Sequence, residues 1–359
     1  MNKSVYNRAY DGDLVAAAKK GDIETCAALL AKGADPNASV FIYDSKFNGK
    51  FSHTDYALSW AASKGHDAIC TLLLDHGAEA ADALTGALCG AALLGNTDLC
   101  ARLLDRGANL HFVNDSPLRE AAGHGYTDLC ALLLDRGAYI NAYDDGFPPP
   151  LMAAARKGHT ETCALLLDRG ANILFWRPLS SAAREGHTET CAFLLSKGAD
   201  LHANYDEPLR NAAGEGHTET CAFLLSKGAN LHANNDGPLC NAAEKGHTET
   251  CAYLLDHGAD VYGADVHAVR DCDITTALRE AANKGHTETC VLLLSRGADP
   301  VRSFFVRRFL SKRQLFLTST GAVTMDNALV QAHSKRAAAF RAAFPDDRFP
   351  LIDAYLRAK

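Results

Sequence analysis

The chain reads as an all-α solenoid of nine short helix-turn-helix units, with turn or hairpin tips between them and a helical cap at the C-terminal end. Three observations lead there. A glycine followed five residues later by a cysteine recurs nine times, from Gly21/Cys26 through Gly125/Cys130 and Gly216/Cys221 to Gly285/Cys290. The glycines lie 44, 30, 30, 33, 28, 30, 30 and 39 residues apart, a period of 30 broken by insertions at particular joints, and such self-similarity marks a repeat architecture. Hydrophobic residues at 47% and charged residues at 22% can support a core. The 359 residues therefore need not be divided among globular domains, because repeat proteins grow by stacking.

Residues 207–236, EPLRNAAGEGHTETCAFLLSKGANLHANND, show how one unit folds. Pro208 suits the first turn of a helix, where its missing N–H would be unpaired anyway. Ala212 and Ala213 permit close helix contact, and Gly216 ends that helix at a position favouring positive φ. The Thr218 hydroxyl is placed to start a second helix, in which Cys221, Leu224 and Leu225 form one apolar stripe at i, i+3 and i+4. Gly228 stops that helix, and NLHANND is expected to run as an extended turn to the next unit. So small a helix pair cannot bury its apolar face alone, so neighbours must stack.

Segments such as GDIETCAALLAKGADPNA (residues 21–38) and GHTETCALLLDRGAN (residues 158–172) carry a resemblance. Over roughly residues 10–300 the chain resembles the ankyrin-repeat family. Its 30-residue unit with an xxPLRxAA opening is similar to ankyrin arrays of large DNA viruses and intracellular bacteria. AYDGDLVAAAKKG (residues 9–21) is similar to the family's N-terminal capping repeats. The family's opening TPLH is altered here to PLR, PLC, PLS or ALR, so the hydroxyl and imidazole that stitch the turn to the helix are mostly missing and looser turns are expected. The resemblance implies a solenoid over residues 1–300, followed by a basic helical tail at 301–359. It also implies a non-enzymatic scaffold that binds a partner protein along a concave face, using the turn tips and the exposed ends of the first helices. On this chain those ends include Lys19-Lys20, Leu93-Leu94, Arg156-Lys157 and Arg184-Glu185, which vary while the second helices barely change.

Other chemistries find little support. His and Cys recur four residues apart in GHTETC, a spacing that could bind metal on a helix face, but a core cysteine beside a turn histidine accounts for it, so neither metal nor cofactor is expected. The twelve cysteines include nine in the ladder, one stacking distance apart and too far for disulfides; they should be reduced and inert. Cys89, Cys240 and Cys272 fall outside the ladder, and no oriented base accompanies them. No nucleophile elbow, phosphate loop, zinc-helix or dinucleotide motif is present, so the chain is read as no enzyme. Residues 301–359 hold 11 Lys/Arg against 4 Asp/Glu, leaving 25 against 39 for residues 1–300. An acidic body repels phosphate, so nucleic acid is not an expected partner. The polar start and the lack of a long apolar stretch suggest a cytoplasmic, monomeric protein with no membrane span.

The candidate contact residues are aromatic and basic tips: Tyr143, Phe147, Trp176, Arg177 and Tyr205, with Arg156 and Arg184 on the helix ends. Aromatic and Arg side chains dominate binding hot spots. Phe147 and Phe175 could instead plug gaps where the 33- and 28-residue spacings fall. A second candidate is the joint SVFIYDSKFNGKFSH (residues 39–53), read as a hairpin turning at Asn48-Gly49 and carrying Phe41, Tyr43 and Phe47. It serves either as a contact finger or as a structural insertion. Beyond the repeats, residues 303–317 place Phe305, Phe309, Lys312 and Phe316 on one helical side, a cover for the last repeat or a membrane-surface helix. The terminal FPDDRFPLIDAYLRAK is faintly similar to the F-box-like tails of some viral ankyrin proteins, which would make the chain an adaptor recruiting ubiquitin-ligase machinery. Packing of this tail on the repeats is the other reading.

Overall fold

The computed structural model describes residues 8–43, 52–143, 146–260 and 277–298. It divides into an N-terminal body, residues 1–178, and a C-terminal body, residues 179–359. In the first, the helices are α1 (Asp11–Lys20), α2 (Ile23–Ala31), α3 (Ala57–Ser63), α4 (Asp67–Asp75), α5 (Ala81–Leu93), α6 (Thr97–Asp105), α7 (Ser116–Gly123), α8 (Thr127–Asp135), α9 (Pro150–Arg156) and α10 (Thr160–Asp168). The second holds α11 (Pro178–Arg184), α12 (Thr188–Ser196), α13 (Ala203–Gly214), α14 (Thr218–Ser226), α15 (Ala233–Lys245), α16 (Thr248–Asp256), α17 (Ala277–Lys284) and α18 (Thr287–Ser295). Odd-numbered helices open the repeats and even-numbered ones close them. First helices pack on first helices, α1 on α3, α3 on α5, α5 on α7 and α7 on α9, then α13 on α15 and α15 on α17. An antiparallel hairpin, β1 (Ser39–Tyr43) against β2 (Ser52–Tyr56), follows the first repeat, with Phe41 opposite Thr54 and Tyr43 opposite Ser52. Asn48-Gly49 and Phe47 lie outside the described residues.

The core is built from the small residues of the first helices and one stripe of each second helix. Paired alanines such as Ala121/Ala122 and Ala212/Ala213 are fully buried, which lets neighbouring first helices approach closely. The nine ladder cysteines are buried, as is the leucine three residues after each. The expected stripe needs one correction: Leu225 is only half-buried, whereas Thr220 is 1% exposed. A buried hydroxyl is costly unless it is paired. The buried Thr162, Thr220, Thr250 and Thr289 each bond the threonine that opens the second helix of the preceding repeat: Thr127 with Thr162 (2.7 Å), Thr188 with Thr220 (2.8 Å), Thr218 with Thr250 (2.8 Å) and Thr248 with Thr289 (2.8 Å). The Thr218 hydroxyl therefore joins repeats, and His217 holds the N-cap position of its helix without a side-chain cap bond.

The anchor glycines do more than end a helix. Gly216 has φ +82°, and a Cβ built on it would fall 2.5 Å from Nδ1 of His247, the imidazole of the next repeat. The same fit places His66 on Gly21, Tyr126 on Gly95, His159 on Gly125 and His217 on Gly186. The imidazole also reaches the end of the preceding repeat's first helix, with His217 Nε2 3.0 Å from the Arg184 carbonyl and His286 Nε2 2.9 Å from that of Glu244. Where Asp22 or Asn96 replaces the ring, its side chain accepts from its own helix instead, from Thr25 N and Leu99 N at 3.0 Å each. By contrast Gly228, at the end of a second helix with φ +98°, has nothing within 4 Å of its Cβ position.

The tips differ from the expected extended turns. Asn204, Tyr205 and Asp206 are all left-handed, as are Asn234, Asn235 and Asp236, and Val113, Asn114 and Asp115. True α-helix begins after them, which puts Pro208 and Pro238 in a first turn. Nor do the tips lack stitching. The buried carboxylates of Asp115, Asp206 and Asp236 meet Nδ1 of His111, His202 and His232 at 3.0, 3.0 and 2.8 Å. They also accept the backbone N–H of the following tip, from Tyr139, Asn230 and Asp260 at 3.1, 2.8 and 3.0 Å. A His-x-x-x-Asp motif thus stitches these three tips internally and to the tip that follows.

Two outcomes follow for stability. Gly228→Ala should cost roughly 1–2 kcal/mol, the penalty of a side chain in left-handed backbone, while Gly216→Ala should cost clearly more because it also displaces His247; urea unfolding of both variants checks the order. Burial pushes the ladder thiols up, Cys26 and Cys290 to about 11 and the seven between them to about 12, from 9.0. Above pH 9 the unfolded chain sheds thiol protons that the folded chain keeps, so this contribution is complete below pH 9 and is lost as pH rises through 11–12. Unfolding midpoints measured between pH 8 and 11 should fall, and should fall less in a variant with several ladder cysteines replaced by alanine.

Candidate protein-binding surface

The tips that follow α8 and α10 bring three predicted or suspected aromatics together in the N-terminal body. The Tyr143 ring lies 5.5 Å from that of Phe175, edge to face, and 6.0 Å from Trp176, while Phe175 and Trp176 stand at 89° to one another, 6.0 Å apart. Edge-to-face pairs at such distances are favourable aromatic geometry. The rings stay in solvent: Tyr143 is 49% exposed, Trp176 44% and Phe175 37%. Leu174, which the sequence reading passed over, is 65% exposed beside them in the chain. Trp176 and Arg177 have φ of +59° and +49°, backbone that costs energy for any residue but glycine. Phe175 therefore sits on the surface and plugs no interior gap.

Phe147 is 52% exposed. The guanidinium of Arg119 lies 5.4 Å above its ring, an attractive cation–π placement. Arg119 itself is buried, because its Nη1 donates to the carbonyls of Val113, at 2.9 Å, and Asn114, closing the left-handed tip. Beside Phe147, between the ends of α7 and α9, opens a cleft of about 490 Å³. Its lining includes Glu120, His124, Pro148, Ala153, Arg156 and Lys157. Arg156, singled out from sequence for its place before an anchor glycine, stands exposed on this rim.

The remaining candidates are dispersed. Tyr205 belongs to the C-terminal body, 71% exposed on its left-handed tip, where its carbonyl accepts from Arg210 Nε at 3.0 Å. Arg184 is paired on the surface with Glu215, which Lys245 also holds at 2.7 Å; the Lys245 hydrogen bond, with help from Arg184, keeps that carboxyl below its usual range. Phe41 and Tyr43 are on β1. Of the cysteines outside the ladder, burial pushes Cys89 up to about 11 and Cys240 to about 12, which disfavours their thiolates, and Cys272 lies outside the described residues. No helix among the described residues is long and apolar enough to cross a membrane. The basic tail after residue 300, with its expected cap helix and F-box-like terminus, lies outside the described residues.

A family model for ankyrin repeats, described as three copies of the repeat, matches in overlapping spans that run from 14–114 to 209–303. The chain belongs to the ankyrin-repeat family. Among solved structures, it is similar to the crystal structure of the human ASB11 ankyrin repeat domain, with 28% identity and a TM-score of 0.51 over 59% of this chain and 98% of that one. No curated protein matches the chain. Ankyrin repeats are in general protein-protein interaction scaffolds, a fold typically without catalysis, and the helix ladder and solvent-facing tips of this ankyrin protein are of that kind.

Arg119→Leu should remove both carbonyl bonds of the tip at 113–115. Hydrogen bonds from a charged donor contribute about 1.5–3 kcal/mol, and denaturant unfolding should show a loss of about that size.

Proposed function

We propose that this ankyrin protein is a scaffold that recognises a partner protein through the tips and first-helix ends of its repeats, with Tyr143, Phe147, Trp176 and Arg177 at the centre of the surface. The observation that carries the reading is the exposed ring cluster of Tyr143, Phe175 and Trp176 on hydrogen-bonded tips. A solvent-exposed aromatic cluster held on an ordered backbone loses little entropy on binding and buries large area. Leu174 and the half-exposed Phe147 enlarge the apolar surface, and Arg177 adds a guanidinium of the type enriched in hot spots. Tyr205 supplies a further anchor in the C-terminal body. Phe41, Tyr43 and Phe47 extend the contact if the hairpin acts as a finger, and Arg184 takes part only if a partner group competes with Glu215.

The partner is to be captured from lysate with the full chain and then measured by titration. Tyr143→Ala combined with Trp176→Ala should weaken it by at least about tenfold, in keeping with hot-spot truncations of 2 kcal/mol or more, with the circular dichroism spectrum and melting temperature unchanged. Unaltered affinity in the double variant would place the binding surface elsewhere.

A further inference from the structure

The first-helix ends of the N-terminal body carry a charge opposite to that of the repeats as a whole. Residues 1–300 hold 25 Lys/Arg against 39 Asp/Glu, yet the paired positions before the anchor glycines from Gly21 to Gly158 contain Lys19, Lys20, Lys64, Arg156 and Lys157 and no carboxylate. A cation at a helix C-terminus is favoured by the macrodipole, which accounts for single lysines there. It does not account for a cleft shaped as this one is. The floor between α7 and α9 is bare because Gly123 has no side chain and Ala153 only a methyl, and a Cβ placed on Gly123 would stand 3.7 Å from that methyl. One wall is apolar, from Phe147 and Pro148. Arg156 and Lys157 stand exposed at the rim with no ion-pair partner among the described residues, and Glu120 is the one carboxylate among the described residues of the lining.

We infer that this cleft takes an acidic segment of the partner protein, an aliphatic side chain seated on Ala153 against Phe147 and Pro148 while flanking carboxylates meet Arg156 and Lys157. The inference rests on the reading of the N-terminal body as a protein-binding surface and names the chemistry recognised there. An apolar wall beside unpaired cations selects a residue pair that a bare polyanion lacks. Arg can meet a carboxylate with two parallel hydrogen bonds, and the cleft volume of about 490 Å³ lies within the range of pockets that enclose small ligands. A nucleic-acid strand would bring charge along the whole acidic body and gain nothing from the Phe147 wall.

The test uses fluorescence anisotropy with the full chain and labelled synthetic peptides about a dozen residues long. One carries Glu and Asp around a central Leu, a second has Gln and Asn in place of the acids, and a third has Ser in place of the Leu; a single-stranded oligonucleotide of similar charge is the fourth probe. The acidic Leu peptide should bind best, should weaken with added salt, and should lose about tenfold or more in affinity to Arg156→Glu with Lys157→Glu. Glu120→Gln should tighten it. If the charge-reversed chain is misfolded by circular dichroism, Arg156→Gln with Lys157→Gln is read instead and should lose about threefold or more. No binding of the acidic Leu peptide, equal binding of the neutral or Ser peptide, or oligonucleotide binding as tight as the peptide's overturns the inference. The Tyr143→Ala/Trp176→Ala variant should keep the peptide and lose the captured partner, so failure at the cleft is distinguishable from failure of the ring cluster.

Discussion

The fit of one repeat's ring into the empty side-chain position of its neighbour's glycine governs this protein. Gly125, Gly186 and Gly216 are left-handed, with the next repeat's imidazole directly over them. Two demands meet at one atom: no L side chain is comfortable at that φ, and no Cβ has room under that ring. The pairing sets how closely consecutive repeats approach within each body, and the paired alanines behind it can be small because that distance is short. When the ring is replaced, as at Asn96, its successor returns to an ordinary helix cap and Gly65 meets only Leu94 Cδ1 at 3.4 Å.

Once the spacing is set, polar groups can enter the core in register. The Thr-Thr bonds that join α8 to α10, α12 to α14, α14 to α16 and α16 to α18 need two hydroxyls at the same height in adjacent repeats. Ile69, Leu99 and Leu129 hold the equivalent buried position in the earlier repeats, so an apolar and a paired polar solution coexist in one chain. The tips obey similar logic with varied chemistry. Asn37, Thr85, Asp115, Asn141, Asp206 and Asp236 each offer a side-chain oxygen to the backbone N–H of the next tip. A buried N–H left unpaired would cost about as much as a lost hydrogen bond, and any of three residue types, Asn, Asp or Thr, meets that requirement.

Such redundancy frees the surface. The cysteine ladder is confined to packing, since burial holds its thiols neutral far above physiological pH, while side chains such as Arg156, Lys157 and Trp176, before an anchor glycine or at a tip, stand exposed. Local charge there can oppose the charge of the whole, as it does at Arg156 and Lys157, and rings such as Trp176 can remain in water.

The sequence by itself determined the period, the helix pairs, the alanine and cysteine positions of the core and the aromatic character of the tips. All of these follow from local rules: apolar spacing of 3 and 4, glycine at positive φ, proline in a first turn. Tertiary structure alone decided the rest, because the deciding groups are about one repeat apart in the chain. The bond from Thr220 to Thr188 spans 32 residues, so no local spacing announces it. The carboxylate of Asp115 is buried against the Tyr139 N–H 24 residues on, a partner no local rule names. Glycine at 216 looks sufficient for its φ, and only the ring of His247, from the following repeat, shows that the missing methyl matters as much as the dihedral angle.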